Sequence, residues 1–300
     1  MEALTVMIPA RNAAATVERA ITSVTKALPR DGRVLVVDDA SEDDTAAVVH
    51  RVARRDRRVG LLDVGGRRLG VTGAANALLD AAKTPLVARM DADDVSLPWR
   101  FRSQLSLMRR HDLDLVFSPA LFVGPGRFAV EPQPLLRADP RSLTYELLLN
   151  CAVMQPSLTG RRSAILDAGG YRTVPAEDWD LWMRLALNGT RMGRTSLPGV
   201  AYRRHDAQTS SQQSYKQAVT ADAPTAQVHR DLCRSTFGRE YRAYAALTGA
   251  GAPPDEVADA ERLIDDVAER AADFPLAERI SIRSTAHGLR LRLRRRYPPD

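Results

Sequence analysis

"RVLVVDDASEDDTAAVVHRVARR", residues 33–55, decides the fold class. Residues 33–38 are short, apolar and β-branched, which predicts a buried strand. Ser41, followed by Glu42, Asp43 and Asp44, predicts a capped helix over 43–54 whose acidic first turn suits the helix dipole. Working outward, 3–8 (ALTVMI), 59–63 (VGLLD) and 85–90 (PLVARM) read as further strands, and 13–27 and 73–82 as helices. Strands alternating with helices of this length imply βαβ units and a mainly parallel sheet flanked by helices, an α/β fold. In such sheets ligands bind beyond the carboxyl ends of the strands. Those ends read Pro9-Ala10-Arg11, Asp38-Asp39-Ala40-Ser41 and Asp91-Ala92-Asp93-Asp94.

A chain of 300 residues is long enough for one large α/β domain, or for a core domain with an appendage. Two cysteines, Cys151 and Cys233, without metal-type spacing, point to a reducing compartment and against a disulfide framework or zinc site. The opening MEALTVMIPAR lacks the basic start and apolar run of a secretory signal. No segment has the roughly 18 apolar residues of a membrane span. The expectation is a cytoplasmic protein. A net charge of +6, almost wholly from arginine, fits either an acidic partner such as nucleotide phosphates or an arginine-rich composition.

Three constellations carry chemistry. In "MDADDVSLPWRF" (90–101), Asp91 and Asp93 form an Asp-x-Asp unit whose oxygens suit Mg²⁺ or Mn²⁺. Clustered carboxylates repel unless a positive partner offsets them. Capping of the helix that Pro98 opens, by Asp94 or Ser96, accounts for one acid and not for three. In "AEDWDLWMRLA" (176–186), Glu177, Asp178 and Asp180 surround the first turn of an apolar-faced helix. The dipole alone explains acids there; the chemical reading makes one of them a general base. In "YRRHDAQTS" (202–210), His205 sits in a basic, aromatic setting suited to a metal or a diphosphate. The loop "GGRRLGVTGAAN" (65–76) matches neither a Walker pattern nor a dinucleotide fingerprint. It reads equally as a surface loop and as a phosphate contact through its N–H groups and Arg67 or Arg68.

Taken in order, "VMIPARNAAATVERAITSV", "VLVVDDASEDDT", "MDADDVSLPWRF", "AEDWDLWMRL" and "YRRHDAQTS" resemble the family 2 glycosyltransferases over residues 3–210. The resemblance implies a Rossmann-like GT-A fold and an inverting transfer from a nucleotide-diphospho-sugar, a UDP-sugar by default, to an acceptor hydroxyl. It implies that Pro9, Ala10 and Arg11 line the nucleotide pocket, that Asp39 receives the base, and that Gly73 and Asn76 lie against nucleotide or sugar. Asp91 would touch ribose or sugar, Asp93 would bind a divalent cation (Mn²⁺ or Mg²⁺), and His205 would lie near that metal and the diphosphate. Asp178 would be the catalytic base, supported by Glu177. Arg11-Asn12 departs from the family's usual aromatic residue after the Pro-Ala pair, which bears on base or phosphate contacts.

Residues 1–210 are thus expected to form the catalytic domain and 211–300 a helix-rich extension broken at 248–256. The region 110–150 suggests a strand, a hairpin and a helix over 141–150, and 154–172 a strand leading into a short helix that stops at Gly169-Gly170. The basic end "GLRLRLRRRYPPD" reads as a contact with an anionic membrane surface or as a solvated helix end. Two other readings stay open. A sugar-phosphate nucleotidyltransferase would want a basic, Gly-rich loop after the first strand, and "PARNAAATVE" has none. A nucleic-acid binder would want stacking aromatics, which are sparse. A GT-A scaffold that has lost its activity is the remaining alternative.

Overall fold

The computed structural model describes residues 3–124, 127–129, 138–204 and 212–298. The first elements are β1 (Leu4–Ala10), α1 (Val17–Ala27), β2 (Arg33–Asp38), α2 (Thr45–Arg55), β3 (Val59–Leu62), α3 (Gly70–Ala81) and β4 (Leu86–Arg89). There follow β5 (Val95–Ser96), α4 (Arg100–His111), β6 (Leu115–Phe117), β7 (Ala120–Gly124), β8 (Arg127–Ala129), α5 (Pro140–Leu149), β9 (Thr159–Arg161) and α6 (Arg162–Asp167). The remainder comprises α7 (Glu177–Leu187), β10 (Met192–Arg194), β11 (Val200–Arg203), α8 (Gln213–Thr220), α9 (Ala223–Phe237), α10 (Tyr244–Thr248), α11 (Pro254–Arg270) and α12 (Leu276–Arg296). The chain forms two compact units. One takes Met1–Leu135, Val153–Thr173 and Thr195–His205; the other takes Leu136–Ala152, Val174–Arg194 and Asp206–Asp300.

In the first unit, strands run in the order β6-β9-β4-β1-β2-β3. β1 pairs parallel with β2 on one side and with β4 on the other, and β3 joins β2 in parallel. β9 is antiparallel to both β4 and β6. The sheet is therefore mainly parallel, as the alternation of elements requires. Every residue of β1 except Pro9 is buried, as in a strand covered on both faces. Helix α1 buries Val17, Ala20, Ile21 and Val24, and α2 buries Thr45, Val48, Val49 and Val52. This i, i+3, i+4, i+7 spacing puts one apolar stripe on the sheet. Each fully buried Val, Ile or Leu contributes about 1.5–3 kcal/mol. A second sheet runs β5-β11-β7-β8, with β11 antiparallel to β5 and parallel to β7.

Two expected caps are placed differently. Helix α2 begins at Thr45, not at 43, and Ser41 does not cap it. The Ser41 hydroxyl instead accepts the Asn12 N–H at 2.9 Å and donates to Asp38. Helix α4 begins at Arg100 with Trp99 at its cap position, and neither Asp94 nor Ser96 caps it. Asp94 is buried and accepts the Arg203 N–H at 2.9 Å. In both cases a long-range donor takes the oxygen that a local reading assigns to the helix end.

The second unit is built on helices. α5 starts with a capping box between Asp139 and Ser142 and has Pro140 in its first turn. The Arg194 guanidinium meets the Glu146 carboxylate at 2.7 and 3.1 Å and the Ser281 hydroxyl at 3.3 Å, all three residues being buried. This bidentate ion pair ties α5, β10 and α12 together. Buried charge is tolerated there because each partner is hydrogen-bonded. Among the described residues no helix is long and apolar enough to cross a membrane.

Candidate active site

The register of the first sheet sets the geometry. Ala10 lies opposite Asp38, and Met7 opposite Arg89. The Asp39 N–H donates to the Ala10 carbonyl at 2.8 Å, and the Met90 N–H to the Met7 carbonyl at 3.1 Å. Asp39 therefore leaves the sheet on one side of β1 and Asp91 on the other, with Pro9 and Ala10 between them. The sequence-predicted residues Pro9, Ala10, Arg11, Asp39 and Asp91 converge on this one edge.

Main-chain strain marks the same edge. Asn12 (φ 48°) and Ala40 (φ 54°) adopt left-handed conformations without being glycine. Asn12 is fixed by a reciprocal clasp: its N–H donates to Ser41 and its side chain accepts the Glu42 N–H at 2.9 Å. Arg11 beside it is exposed and lies 3.7 Å from the exposed Glu42 carboxylate, a weak surface pair. The buried Asp39 carboxylate accepts the N–H groups of Leu69 and Gly70, the latter at 3.1–3.2 Å. It thus holds the Gly-rich loop at the first turn of α3, where the dipole favours a negative charge. The Asn76 side chain donates to the Tyr171 carbonyl at 2.8 Å and accepts the Tyr171 N–H at 2.9 Å. Gly170 (φ 66°) is required there, because a Cβ on it would lie 2.8 Å from the Asn76 oxygen. Gly73 sits within α3, with space for a Cβ only at 3.0 Å from Leu69.

The three aspartates of 91–94 are in different states. Asp91 meets the buried Arg89 guanidinium at 2.9 Å and keeps 30% of its side-chain surface exposed. Loss of hydration still holds its carboxyl above the usual range, against the pull of Arg89 and with repulsion from Asp93. Asp94 is pushed up to about 9, first by burial and then by the neighbouring carboxylates, with the Arg203 N–H and Arg100 opposing. At neutral pH Asp94 is therefore protonated, which removes one charge from the cluster. Arg100 is completely buried and donates to the Arg89 carbonyl at 2.8 Å and the Leu158 carbonyl at 3.1 Å. Burial lowers even this guanidinium to about 9, while Asp94 and Asp91 oppose the fall. Asp93 is half-buried. The carboxylate oxygens of Asp91 and Asp93 are donors that a hard divalent ion accepts, and phosphates and water commonly complete such a shell. Among the described residues no group of three or more acidic, histidine or cysteine side chains could hold an ion, so one bound through Asp91 or Asp93 would take its further ligands from outside them. His205 lies outside the described residues.

Sequence reasoning gave no role to Arg89, which stands at the end of an apolar strand, or to Arg100, which it met only as part of a motif. Arg100 opens a helix whose buried positions include Phe101, Gln104, Leu105 and Met108, so an arginine on that stripe was the signal.

In the second unit, α7 begins at Glu177 as the sequence predicts. Asp180 is buried and paired with Arg184 at 2.7 Å, so its acid is structural. Glu177 and Asp178 are half-buried. One Asp178 oxygen accepts the Trp179 N–H at 2.7 Å, and the other faces the Cys151 thiol at 3.6 Å. Trp179 donates its indole N–H to the Leu147 carbonyl at 2.9 Å and packs on Tyr244, ring centroids 5.3 Å apart, and on His229 at 6.3 Å. His229 reaches the Leu148 carbonyl at 2.9 Å. A carbonyl only accepts, so this ring nitrogen carries the proton. Burial lowers the His229 pKa to about 4. These aromatic supports of Trp179 were also missed, because 223–248 reads locally as plain amphipathic helix.

A mainly parallel sheet with helices on both faces and an acidic turn at its carboxyl edge is the GT-A glycosyltransferase architecture. The family model for "Glycosyl transferase family 2" matches residues 5–169, more than half of the chain, and the protein belongs to that family and is a glycosyltransferase. It is 24% identical over 220 residues to the UDP-Glc:alpha-D-GlcNAc-diphosphoundecaprenol beta-1,3-glucosyltransferase WfaP of Escherichia coli, covering 70% of this chain and 81% of that one. Its fold is similar to that of Staphylococcus aureus TarS 1-349 in complex with UDP-GlcNAc (TM-score 0.63, 17% identity, 97% of this chain and 92% of that one). It is also similar to the mannosyltransferase PcManGT of Pyrobaculum calidifontis in complex with GDP-Man and Mn²⁺ (TM-score 0.53, 20% identity, 96% of this chain and 80% of that one).

Proposed function

We propose that the protein transfers a hexosyl group, with inversion, from a UDP-sugar to a hydroxyl on a glycan or glycolipid acceptor in polysaccharide or glycoconjugate synthesis. The observation that carries this reading is the parallel register that sets Asp39 and Asp91 on either side of Pro9-Ala10. Residues 1–210 are assigned as the catalytic domain and 211–300 as an extension. The setting is the cytoplasm, at the inner face of the membrane. The relative WfaP acts on a diphosphoundecaprenol-linked sugar, which supports a lipid-linked acceptor.

In this reading Pro9, Ala10 and Arg11 line the base and ribose, and Asp39 accepts from the base while holding the loop of Leu69 and Gly70. Asp91, oriented by Arg89, hydrogen-bonds ribose or sugar. Gly73 and Asn76 shape the sugar side, Asn76 through its hold on Tyr171. Asp93 and His205 would hold Mn²⁺ or Mg²⁺, whose charge, when bound, favours a departing diphosphate. Asp178 takes the proton from the acceptor hydroxyl, and that oxygen attacks the anomeric carbon opposite the departing diphosphate, which inverts the centre. The Trp179 N–H and the Cys151 thiol fix the carboxylate for this transfer, and Glu177 supports it.

The test is thermal stabilisation by UDP, dTDP, GDP and CDP, each with and without Mn²⁺. A ligand that binds the native state alone raises apparent stability, by about 2.7 kcal/mol at a hundredfold excess over Kd. The expected result is a metal-dependent shift with UDP that disappears in Asp93→Ala. No shift with any nucleotide would overturn the transferase site and favour a degenerate scaffold.

A further inference from the structure

Helix α12 ends the second unit with more than a run of charge. Its buried side carries Ser281, Ile282, Ala286, Leu289 and Leu293. Its other side carries three exposed large apolar residues: Leu276 (69% exposed), Ile280 (51%) and Leu291 (44%). At 3.6 residues per turn these three fall within a sector of about 60°, opposite the buried residues. His287, also exposed, lies in the same sector. The helix therefore buries one apolar side and exposes three aliphatic side chains on the other.

The charge on this exposed face has one sign. Among the 21 residues of α12 the single acid is Glu278, which is buried, against seven arginines. Three of those arginines have internal partners. Arg290 pairs with Asp265, Arg296 donates to the Ala246 and Gly249 carbonyls, and Arg279 to the Ala272 and Phe274 carbonyls. Arg283, Arg292, Arg294 and Arg295 are exposed and take part in no ion pair among the described residues. By helical angle, Arg283 and Arg294 border or share the apolar sector, and Arg295 flanks it.

We propose that this face of α12 docks on an anionic lipid bilayer, with Leu276, Ile280 and Leu291 entering the headgroup boundary and Arg283, Arg294 and Arg295 pairing with lipid phosphates. Exposed aliphatic side chains flanked by arginines let this face sit at the headgroup boundary of an anionic bilayer. They also decide against nucleic acid, whose phosphate backbone offers nothing to three exposed aliphatic side chains. The inference goes beyond the catalytic reading and does not depend on it, since no residue of the donor or base site takes part.

The experiment is co-sedimentation of the full chain with phosphatidylcholine vesicles, with and without phosphatidylglycerol. Wild type is expected to partition onto the anionic vesicles and to be released by salt. The variant Arg283→Gln/Arg294→Gln/Arg295→Gln should lower the partition coefficient on the order of a hundredfold, since each cation near such a surface is worth roughly fivefold. Ile280→Ser/Leu291→Ser should weaken binding even to fully anionic vesicles. All five sites are exposed, so melting temperature and the UDP-dependent shift should be unchanged in both variants. Absence of vesicle binding, or equal binding by wild type and both variants, would overturn the proposal. So would a solution dimer that Ile280→Ser/Leu291→Ser dissolves, or comparable salt-sensitive binding to duplex DNA. A negative nucleotide test with vesicle binding intact would overturn the catalytic reading alone.

Discussion

The acids at the sheet edge and the acids at the start of α7 are the same residue types at similar density, yet their environments differ. Around 91–94 the carboxylates crowd one another over a buried guanidinium, and the crowding is relieved by protonating Asp94 and pairing Asp91 with Arg89. At 177–180 the acids are separated by the helical turn: Asp180 is paired within the helix, and Asp178 is held by an amide and a thiol. In the proposed function the first cluster receives positive charge. The second supplies the carboxylate that takes a proton.

The comparison breaks first in activity. Asp93→Asn and Asp178→Asn should each lower kcat by at least about 10²-fold, in line with the loss of a positioned acid–base or charge-stabilising group. In Asp93→Asn nucleotide binding should lose its dependence on Mn²⁺, whereas Asp178→Asn should keep it. Equal behaviour of the two variants in the binding assay would erase the distinction between the clusters.

A smaller but sizeable effect belongs to the support beneath the first cluster. Arg100→Met should cost about 1–3 kcal/mol in urea unfolding, because it removes the donor from the buried Arg89 and Leu158 carbonyls. A loss under 1 kcal/mol would show that Arg100 does not hold the turn.

pH separates the two regions by sign. The folded state keeps Asp94 protonated where the unfolded chain has released that proton, so Asp94 makes stability fall as pH rises from about 4 towards 9. His229 acts oppositely. The folded protein resists protonating it until about 4, so stability is lost as pH falls from the unfolded value near 6.5. Asp94→Asn should flatten the alkaline slope and His229→Gln the acidic one, both read from urea midpoints across pH. At the lower end of the scale, Glu42→Gln should change stability by less than about 1 kcal/mol, since its contact with Arg11 is exposed.

Much of this was legible in the chain. The alternation of apolar runs and amphipathic segments located β1 to β4 and α1 to α3, because those elements are fixed by local periodicity and by burial on both faces. The acidic strand ends were equally plain, since any mainly parallel sheet brings them to one edge. What stayed hidden depends on residues distant in sequence. Ser41 looked like a cap because nothing local announces that Asn12 uses its hydroxyl. Asp94 looked like a third ionised acid because its raised pKa follows from burial and from Asp91, with the distant Arg203 N–H opposing. Tyr244 and His229 stand 65 and 50 positions from the Trp179 they support, in a segment whose own pattern specifies helix and nothing more.

The clasp between Asn12 and the 41–42 turn bears on how the donor pocket can change over evolution. It is closed by two side chains, Asn12 and Ser41, and two main-chain N–H groups, and Arg11 takes no part in it. In the proposed site, residue 11 is thus a position where the chemistry of the pocket wall can be rewritten while the backbone beneath stays constant. A saturation library at that one codon would sample nucleotide preference almost free of folding defects.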